Sequence, residues 1–331
     1  MSDIPVGLLG VGAYLPARIM ENDEWTQYVD TSDEWILART GIKRRRIAAD
    51  NETTVDLAVN AARSALERTN VRAEDLAEII VATDTPEVCS PDTAAFVQHR
   101  LGAPEIPSYD LAGSGCAGFV QSLDIARARV LVGRDPVLVI GVELLTRRIS
   151  WGDRNSAVLF GDGAGAAVVS RRSRVAQILG AVAGTDGRQT GCLGIEVGGS
   201  RRPFSLEEAQ RGNHKAVVMN GKKVFSEAVH RMSTAARQVL EQTGVSAGDV
   251  ALMVPHQANL RIVQAVAHAL DVPLTKVMCN VQEYGNMGSA SIPVALWEAE
   301  NTGRVGPGDT VLLTSFGAGF HWAAMILRYA A

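Results

Sequence analysis

The chain lacks the marks of several large functional classes. It has four cysteines in 331 residues, Cys89, Cys116, Cys192 and Cys279. None has the paired spacing of a disulfide framework or zinc ribbon, which fits a reducing compartment. Neither charge dominates: 32 Lys and Arg stand against 36 Asp and Glu, a net −4, so there is no overall basic footprint for nucleic acid. No apolar run reaches membrane-spanning length. The nearest, VLVGRDPVLVIGVELL (130–145), is interrupted by Arg134, Asp135 and Pro136. The N-terminal MSDIPVGLLGVGAYLP carries Asp3 and no basic stretch, and is not expected to act as a signal peptide. The expectation is a cytoplasmic protein that partners neither nucleic acid nor membrane. With 47% hydrophobic and 21% charged residues, the length suits about two globular domains.

What the chain does have is an internal repeat. ALERTNVRAEDLAEIIVATDT (65–85) matches VLEQTGVSAGDVALMVPHQAN (239–259) at a constant offset: Glu67 meets Glu241, Thr69 meets Thr243, Val71 meets Val245 and Asp75 meets Asp249. Each copy reads as a helix, a short acidic turn and a buried strand, AEIIVAT or VALMVPH. An amphipathic helix, another strand, a small-residue loop, another helix and a last strand (DPVLVIGVE or DTVLLTSFG) follow. The repeat predicts two α/β halves, residues 1–172 and 173–331, with mostly parallel sheets covered by helices. In such sheets sites lie beyond the carboxyl ends of strands. Three strand-to-helix loops are candidates: GSGCAG, HQAN and EYGNMGSASIP.

Cys116 is the first candidate residue. It follows Gly113, Ser114 and Gly115 and opens a run with apolar residues at helical spacing. A helix N-terminus favours thiolate, so a lowered thiol pKa is expected there. The other three cysteines read as small core hydrophobes. His256 ends an apolar strand and enters a polar turn, whereas His99, His214, His230 and His268 read as structural. Asn286, flanked by Gly285 and nearby Gly288, is either a turn former or a hydrogen-bond donor. Together the three supply a nucleophile and two donors for an enolate oxygen.

Two glycine-rich stretches carry less. GLLGVGAYLP has Leu15 where a dinucleotide fingerprint needs its third glycine. FGDGAGAAVVS (160–170) lacks the lysine of a phosphate loop and reads as close packing between strands. EWILARTGIKRRR (34–46) sets Trp35 beside Arg39, Lys43, Arg44, Arg45 and Arg46. It reads either as a solvated basic helix end or as a nucleotide clasp, with aromatic and guanidinium faces for adenine and cations for phosphate. Residues 188–216 read as a long mobile loop.

VDTSDEWILARTGIKRRRIA (29–48), GCAGF (115–119), LFGDGAGAAVV (159–169), VPHQANLRI (254–262), GNMGSASIP (285–293) and SFGAGFHW (315–322) occur in this order. In these motifs the sequence resembles the β-ketoacyl-acyl carrier protein synthase III family of thiolase-like condensing enzymes. The resemblance implies an α/β thiolase-like fold, duplicated α/β halves in a five-layered αβαβα sandwich. It implies fatty acid initiation by decarboxylative Claisen condensation of an acyl-CoA starter with malonyl-acyl carrier protein through an acyl-Cys116 intermediate. His256 and Asn286 would stabilise the malonyl enolate, and the backbone N–H groups of Cys116 and Ala318 would form an oxyanion hole. Trp35 and Arg154 would clasp adenine, with Arg39 near the phosphates; Arg261 would help dock the acidic carrier protein. Ser90 and Met219 would line the acyl pocket, with Ser90 replacing a bulky aromatic of some relatives. No metal and no cofactor beyond the coenzyme A thioester substrate is implied, and a homodimer is. A specialised-metabolism condensing enzyme or acyltransferase with the same three residues is the alternative. A degradative thiolase would want a second cysteine near the C-terminus, where GAGFHWAAMILRYAA has none. A non-catalytic acyl-CoA-binding module would not need the three residues together.

Overall fold

The computed structural model describes residues 5–173 and 175–331. In the first part of the chain the strands are β1 (Gly7–Tyr14), β2 (Arg18–Glu21), β3 (Arg44–Ile47), β4 (Glu78–Thr83), β5 (Ser108–Ala112), β6 (Val137–Leu144) and β7 (Asp162–Ser170). The helices there are α1 (Asp33–Thr40), α2 (Thr54–Thr69), α3 (Thr93–Leu101) and α4 (Gly118–Leu131). The second part adds β8 (Ala176–Thr185), β9 (Leu193–Ile195), β10 (Val217–Met219), β11 (Val250–Pro255), β12 (Thr310–Gly317) and β13 (His321–Tyr329). Its helices are α5 (Leu206–Gln210), α6 (Gly221–Thr243), α7 (Leu260–Ala269), α8 (Val281–Tyr284) and α9 (Ser291–Asn301).

Nine of these strands form one continuous ladder in the order β11-β12-β13-β8-β1-β7-β6-β4-β5. The ladder folds into two sheets. Helices α2 and α3 cover the outer face of the first five-strand group, and α6 and α7 cover the outer face of β8 and β11–β13. Helices α4 and α9 touch strands of both groups and form the middle layer. The result is the five-layered αβαβα sandwich. The strand pairing departs from the mostly parallel expectation. Pairs β4–β5, β4–β6 and β11–β12 are parallel, while β1–β7, β1–β8, β6–β7, β12–β13 and β8–β13 are antiparallel. Helical crossovers make the parallel pairs. The β6–β7 and β12–β13 pairs have no crossover helix between them and return antiparallel.

The repeat is visible in detail. α2 ends at Thr69 with Asn70 left-handed (φ 52°), and α6 ends at Thr243 with Gly244 left-handed (φ 66°). A 3₁₀ turn follows each, Ala73–Asp75 and Ala247–Asp249, and then β4 or β11. Both helices start on a side-chain cap. Thr53 and Asp56 form a reciprocal capping box, and Asn220 accepts from the Lys223 N–H. Strands β6 and β7 are buried at every residue, as continuous apolar runs in a covered sheet require.

The glycines of FGDGAGAAVVS serve close packing, but against α9 and the loop before it rather than between strands. A Cβ at Gly165 would meet Pro293 at 2.6 Å, and one at Gly163 would meet Met287 Sδ at 2.6 Å. Gly12 in β1 is tighter still against α2, where a Cβ would lie 2.2 Å from Ala65 N and 2.6 Å from Ser64 C. Backbone cannot give way as a side-chain tip can. Gly12→Ala is therefore expected to lose about 3 kcal/mol of stability, read as a lowered urea midpoint; an unchanged midpoint would show that β1 and α2 can separate freely.

Candidate active site

The ends of the strands meet around one cavity of about 720 Å³, open to solvent on one side. Its wall includes Cys116, His256 and Asn286, one from each of the three loops singled out by the sequence. The loops belong to both halves, so the site exists only once the halves are packed.

Cys116 sits in a 3₁₀ turn, Gly115–Ala117, just before α4. Gly115 has φ +56°, and a Cβ there would lie 2.5 Å from Ala318 N. A Cβ at Gly317 would lie 2.4 Å from Cys116 N. Two glycines thus let the cysteine turn and the end of β12 touch backbone to backbone, which sets the Cys116 and Ala318 amides side by side. Positive φ among the described non-glycine residues is confined to Asn70 and Asp271, so Ala318 holds its place without backbone strain.

Asn286 presents a defined end. Its Oδ1 accepts the Gly288 N–H at 2.9 Å and lies 4.0 Å from Cys116 Sγ. A backbone N–H can only donate, so the carboxamide oxygen is engaged and Nδ2 is the free donor. His256 is 4% exposed, and its backbone N–H donates to Thr314 O of β12 at 2.8 Å. Its Nδ1 lies 2.6 Å from Ser291 Oγ, which leaves Nε2 unengaged.

Burial governs the protonation of these groups. It holds His256 neutral, its pKa pulled down to about 3. It also pushes the Cys116 thiol well above its ordinary range, and the neighbouring carboxyls of Asp84 and Glu143 push it further. The lowered thiol pKa expected from the sequence is therefore not found. The full α-helix begins only at Gly118, and the carboxyls of Asp84 and Glu143 act on the sulfur against the turn's amides. Asp84 and Glu143 are themselves raised by burial. Glu143 takes the Thr85 hydroxyl at 2.8 Å and the Asp84 N–H at 3.1 Å, while Asp84 Oδ1 takes the Gly115 N–H at 3.3 Å. These two acids tie the cysteine turn to β6. The sequence reading missed them; an acid just past the apolar β4 strand was the available signal for Asp84.

At the mouth, Trp35 lies between two guanidinium groups. Arg39 Cζ is 4.2 Å and Arg154 Cζ 4.6 Å from its ring centroid, and all three line the cavity. The rest of the basic stretch is not a solvated helix end. Arg44–Ile47 form β3, and Arg45 is fully buried, donating to Asn22 Oδ1 and Val158 O at 2.8 Å. Burial brings its pKa down to about 10. Arg261 is exposed near Phe225 on the rim, 5.9 Å from its ring. Asn259 caps α7 through the Arg261 N–H and donates to Arg39 O, joining that rim to α1.

Met219 lines the cavity; Ser90 does not. Ser90 is exposed, beyond the point where Pro86 leaves the wall. Cys89 is also exposed rather than in the core. Residues 188–216, read as a loop, carry short elements: the 3₁₀ turn Gly187–Cys192, β9 and α5. β9 pairs with β10, and Thr190, Leu193, Ile195 and Val217 roof the cavity. Leu193 also packs on the α6–α7 core, an apolar anchor hidden among the glycines and charges of this stretch.

The buried histidine makes stability depend on pH. Unfolded, His256 takes a proton below about 6.5; folded, it stays neutral to about 3. The unfolded state then binds more protons, so this group subtracts stability as pH falls from 6.5 towards 3, by about 1.4 kcal/mol per pH unit. Urea unfolding at pH 7 and pH 5 should show His256→Gln losing less than the parent, by about 2 kcal/mol. Parallel losses would mean that His256 is charged in the folded chain.

Known proteins resemble the chain over nearly its whole length. Residues 109–187 match the family model for 3-oxoacyl-[acyl-carrier-protein] synthase III, and residues 240–329 match the model for its C-terminal part. The chain is 45% identical over 327 residues to the β-ketoacyl-[acyl-carrier-protein] synthase III of Caldanaerobacter subterraneus subsp. tengcongensis, covering 98% of each. It is 46% identical over 326 residues to that of Symbiobacterium thermophilum, again covering 98% of each. The crystal structure of the Aquifex aeolicus 3-oxoacyl-[acyl-carrier-protein] synthase III superimposes with a TM-score of 0.90 at 41% identity, over 98% of this chain and 100% of that one. By this identity and coverage, the chain belongs to the β-ketoacyl-acyl carrier protein synthase III family.

Proposed function

We propose that the protein condenses an acyl-CoA starter with malonyl-acyl carrier protein, releasing CO₂ and giving a 3-oxoacyl-acyl carrier protein, the first elongation of fatty acid biosynthesis. The observation that carries this is the single cavity that holds Cys116, His256 and Asn286 behind a mouth built from Trp35, Arg39 and Arg154. Family membership supplies the reaction class, and the cavity supports the roles given below.

Acyl-CoA enters with its adenine against Trp35 and Arg154 and its phosphates near Arg39. The Cys116 sulfur adds to the thioester carbonyl, and the oxyanion is met by the Cys116 and Ala318 N–H groups. Collapse releases coenzyme A, which takes the thiol proton, and leaves acyl-Cys116. Malonyl-acyl carrier protein docks at the rim near Arg261. Loss of CO₂ sends an electron pair onto the malonyl thioester, whose enolate oxygen is held by the His256 and Asn286 N–H donors. The carbanion attacks acyl-Cys116, forms the new C–C bond and expels the cysteine sulfur. The steps call for no metal and no redox cofactor.

The starter chain lies under the roof made by residues 190–195 and 217–219, beside Met219. Leu131 and Val132 stand exposed on the surface, and β5 ends the sheet with its outer edge unpaired among the described residues. A homodimer paired along β5 would close that edge. Among the described residues no helix is long and apolar enough to cross a membrane, and the four free cysteines suit the cytoplasm.

Intact mass after mixing with acetyl-CoA and with longer acyl-CoAs tests the first step. The protein should gain one acyl group, and Cys116→Ser should gain none while keeping its fold. An adduct that persists in Cys116→Ser places the nucleophile elsewhere, and no adduct from any acyl-CoA reduces the site to a binding pocket.

A further inference from the structure

His256 can hold the enolate oxygen only with its proton on Nε2. Burial leaves the ring neutral, with a single N–H to place. Something in the protein must decide which nitrogen carries it.

We propose that Ser291, the first residue of α9, is a positioning residue that locks His256 in its Nε2–H form by donating its hydroxyl proton to Nδ1. Ser291 is fully buried, and its Oγ lies 2.6 Å from His256 Nδ1. The same oxygen accepts the Gln257 N–H at 3.5 Å. Among the described residues the Ser291 hydroxyl has no acceptor other than Nδ1, so its buried proton is satisfied only there. Nδ1 is thereby an acceptor, and the ring proton is left on Nε2.

The amide is itself held. The Gln257 side chain is fully buried and uses both ends: Nε2 donates to Pro255 O at 2.7 Å and Met278 O at 3.0 Å, and Oε1 accepts the Asn280 and Val281 N–H groups at 3.0 and 3.2 Å. Gln257 thus pins its own backbone between β11 and the start of α8. The second donor is oriented by a backbone amide, because the Gly288 N–H engages Asn286 Oδ1 and frees Nδ2. A buried hydroxyl orients one side chain and a main-chain N–H the other. A hydrogen-bonded partner on the far nitrogen is the general way in which a histidine tautomer is set.

The inference rests on His256 being the enolate donor, and the test separates the two. Histidine ¹⁵N NMR of the whole protein at neutral pH, with the His256 signal assigned by its loss in His256→Gln, reads the tautomer directly. Malonyl decarboxylation and acyl transfer onto Cys116 are measured on the same samples. The parent should show protonated Nε2. Ser291→Ala should show Nδ1–H, alone or mixed, and decarboxylation down about tenfold or more, with acyl transfer reduced far less. Ser291→Thr, which keeps the hydroxyl, should restore both the signal and the rate. A parent with protonated Nδ1, a Ser291→Ala protein with the parent tautomer, or a changed tautomer with an unchanged decarboxylation rate would each overturn the role of Ser291. Decarboxylation that survives in His256→Gln would instead overturn the role of His256 itself.

Discussion

The site depends on one contact between the two halves: the cysteine turn laid backbone against backbone on the end of β12. It is possible only because Gly115 and Gly317 have no side chains; a Cβ on either would come within 2.5 Å of the other segment's main-chain nitrogen. From this contact the other positions follow. It places the Cys116 and Ala318 amides together. Thr314, three residues before Gly317, then fixes His256 through its carbonyl. The Ser289 hydroxyl donates to Gly115 O at 3.0 Å and brings the Asn286 loop against the same turn. Helix α4 starts at this turn and α9 just after Ser289, and the two form the middle layer.

Packing these groups around one turn has an electrostatic consequence. Fully buried Glu143 and half-buried Asp84 lie beside Cys116, and backbone N–H groups and a hydroxyl take up their oxygens. Burial raises both acids and the thiol, and lowers the histidine. All four shifts disfavour charge. At rest His256 is therefore neutral and Cys116 is held as the thiol.

Much of this could be read from the sequence, because it is carried by local pattern. The repeat at Thr69/Thr243 and Asp75/Asp249 marks helix ends and turns that the structure reproduces residue for residue. Cys116 and His256 stood out because each follows a strand in a loop of small or polar residues. Asn286 was also expected to follow a strand, but the short helix α8 precedes it; the cavity brings all three together. What could not be read depends on distant neighbours. The thiol's surroundings are set by Asp84 and Glu143, 32 and 27 residues away along the chain. Arg45 sits in a run of cations, yet it is fully buried and donates to Asn22 and Val158. Leu193 and Ile195 carry too little periodicity to announce a roof over the cavity. Ser90 was placed by comparison with relatives, and its side chain lies outside the wall of its own chain's cavity.

The electrostatic picture stands or falls with the Cys116 thiol. The rate of its alkylation by iodoacetamide should be followed from pH 6 to pH 10 in the free protein, subtracting the Cys116→Ser background that reports exposed Cys89. A thiol raised by its buried surroundings and by nearby carboxyls should react slowly at neutral pH, with a rate still rising beyond the free-cysteine value of about 8.5. A rate that is already at its plateau by pH 7 would mean a resting thiolate at the helix N-terminus, and would contradict a resting thiol.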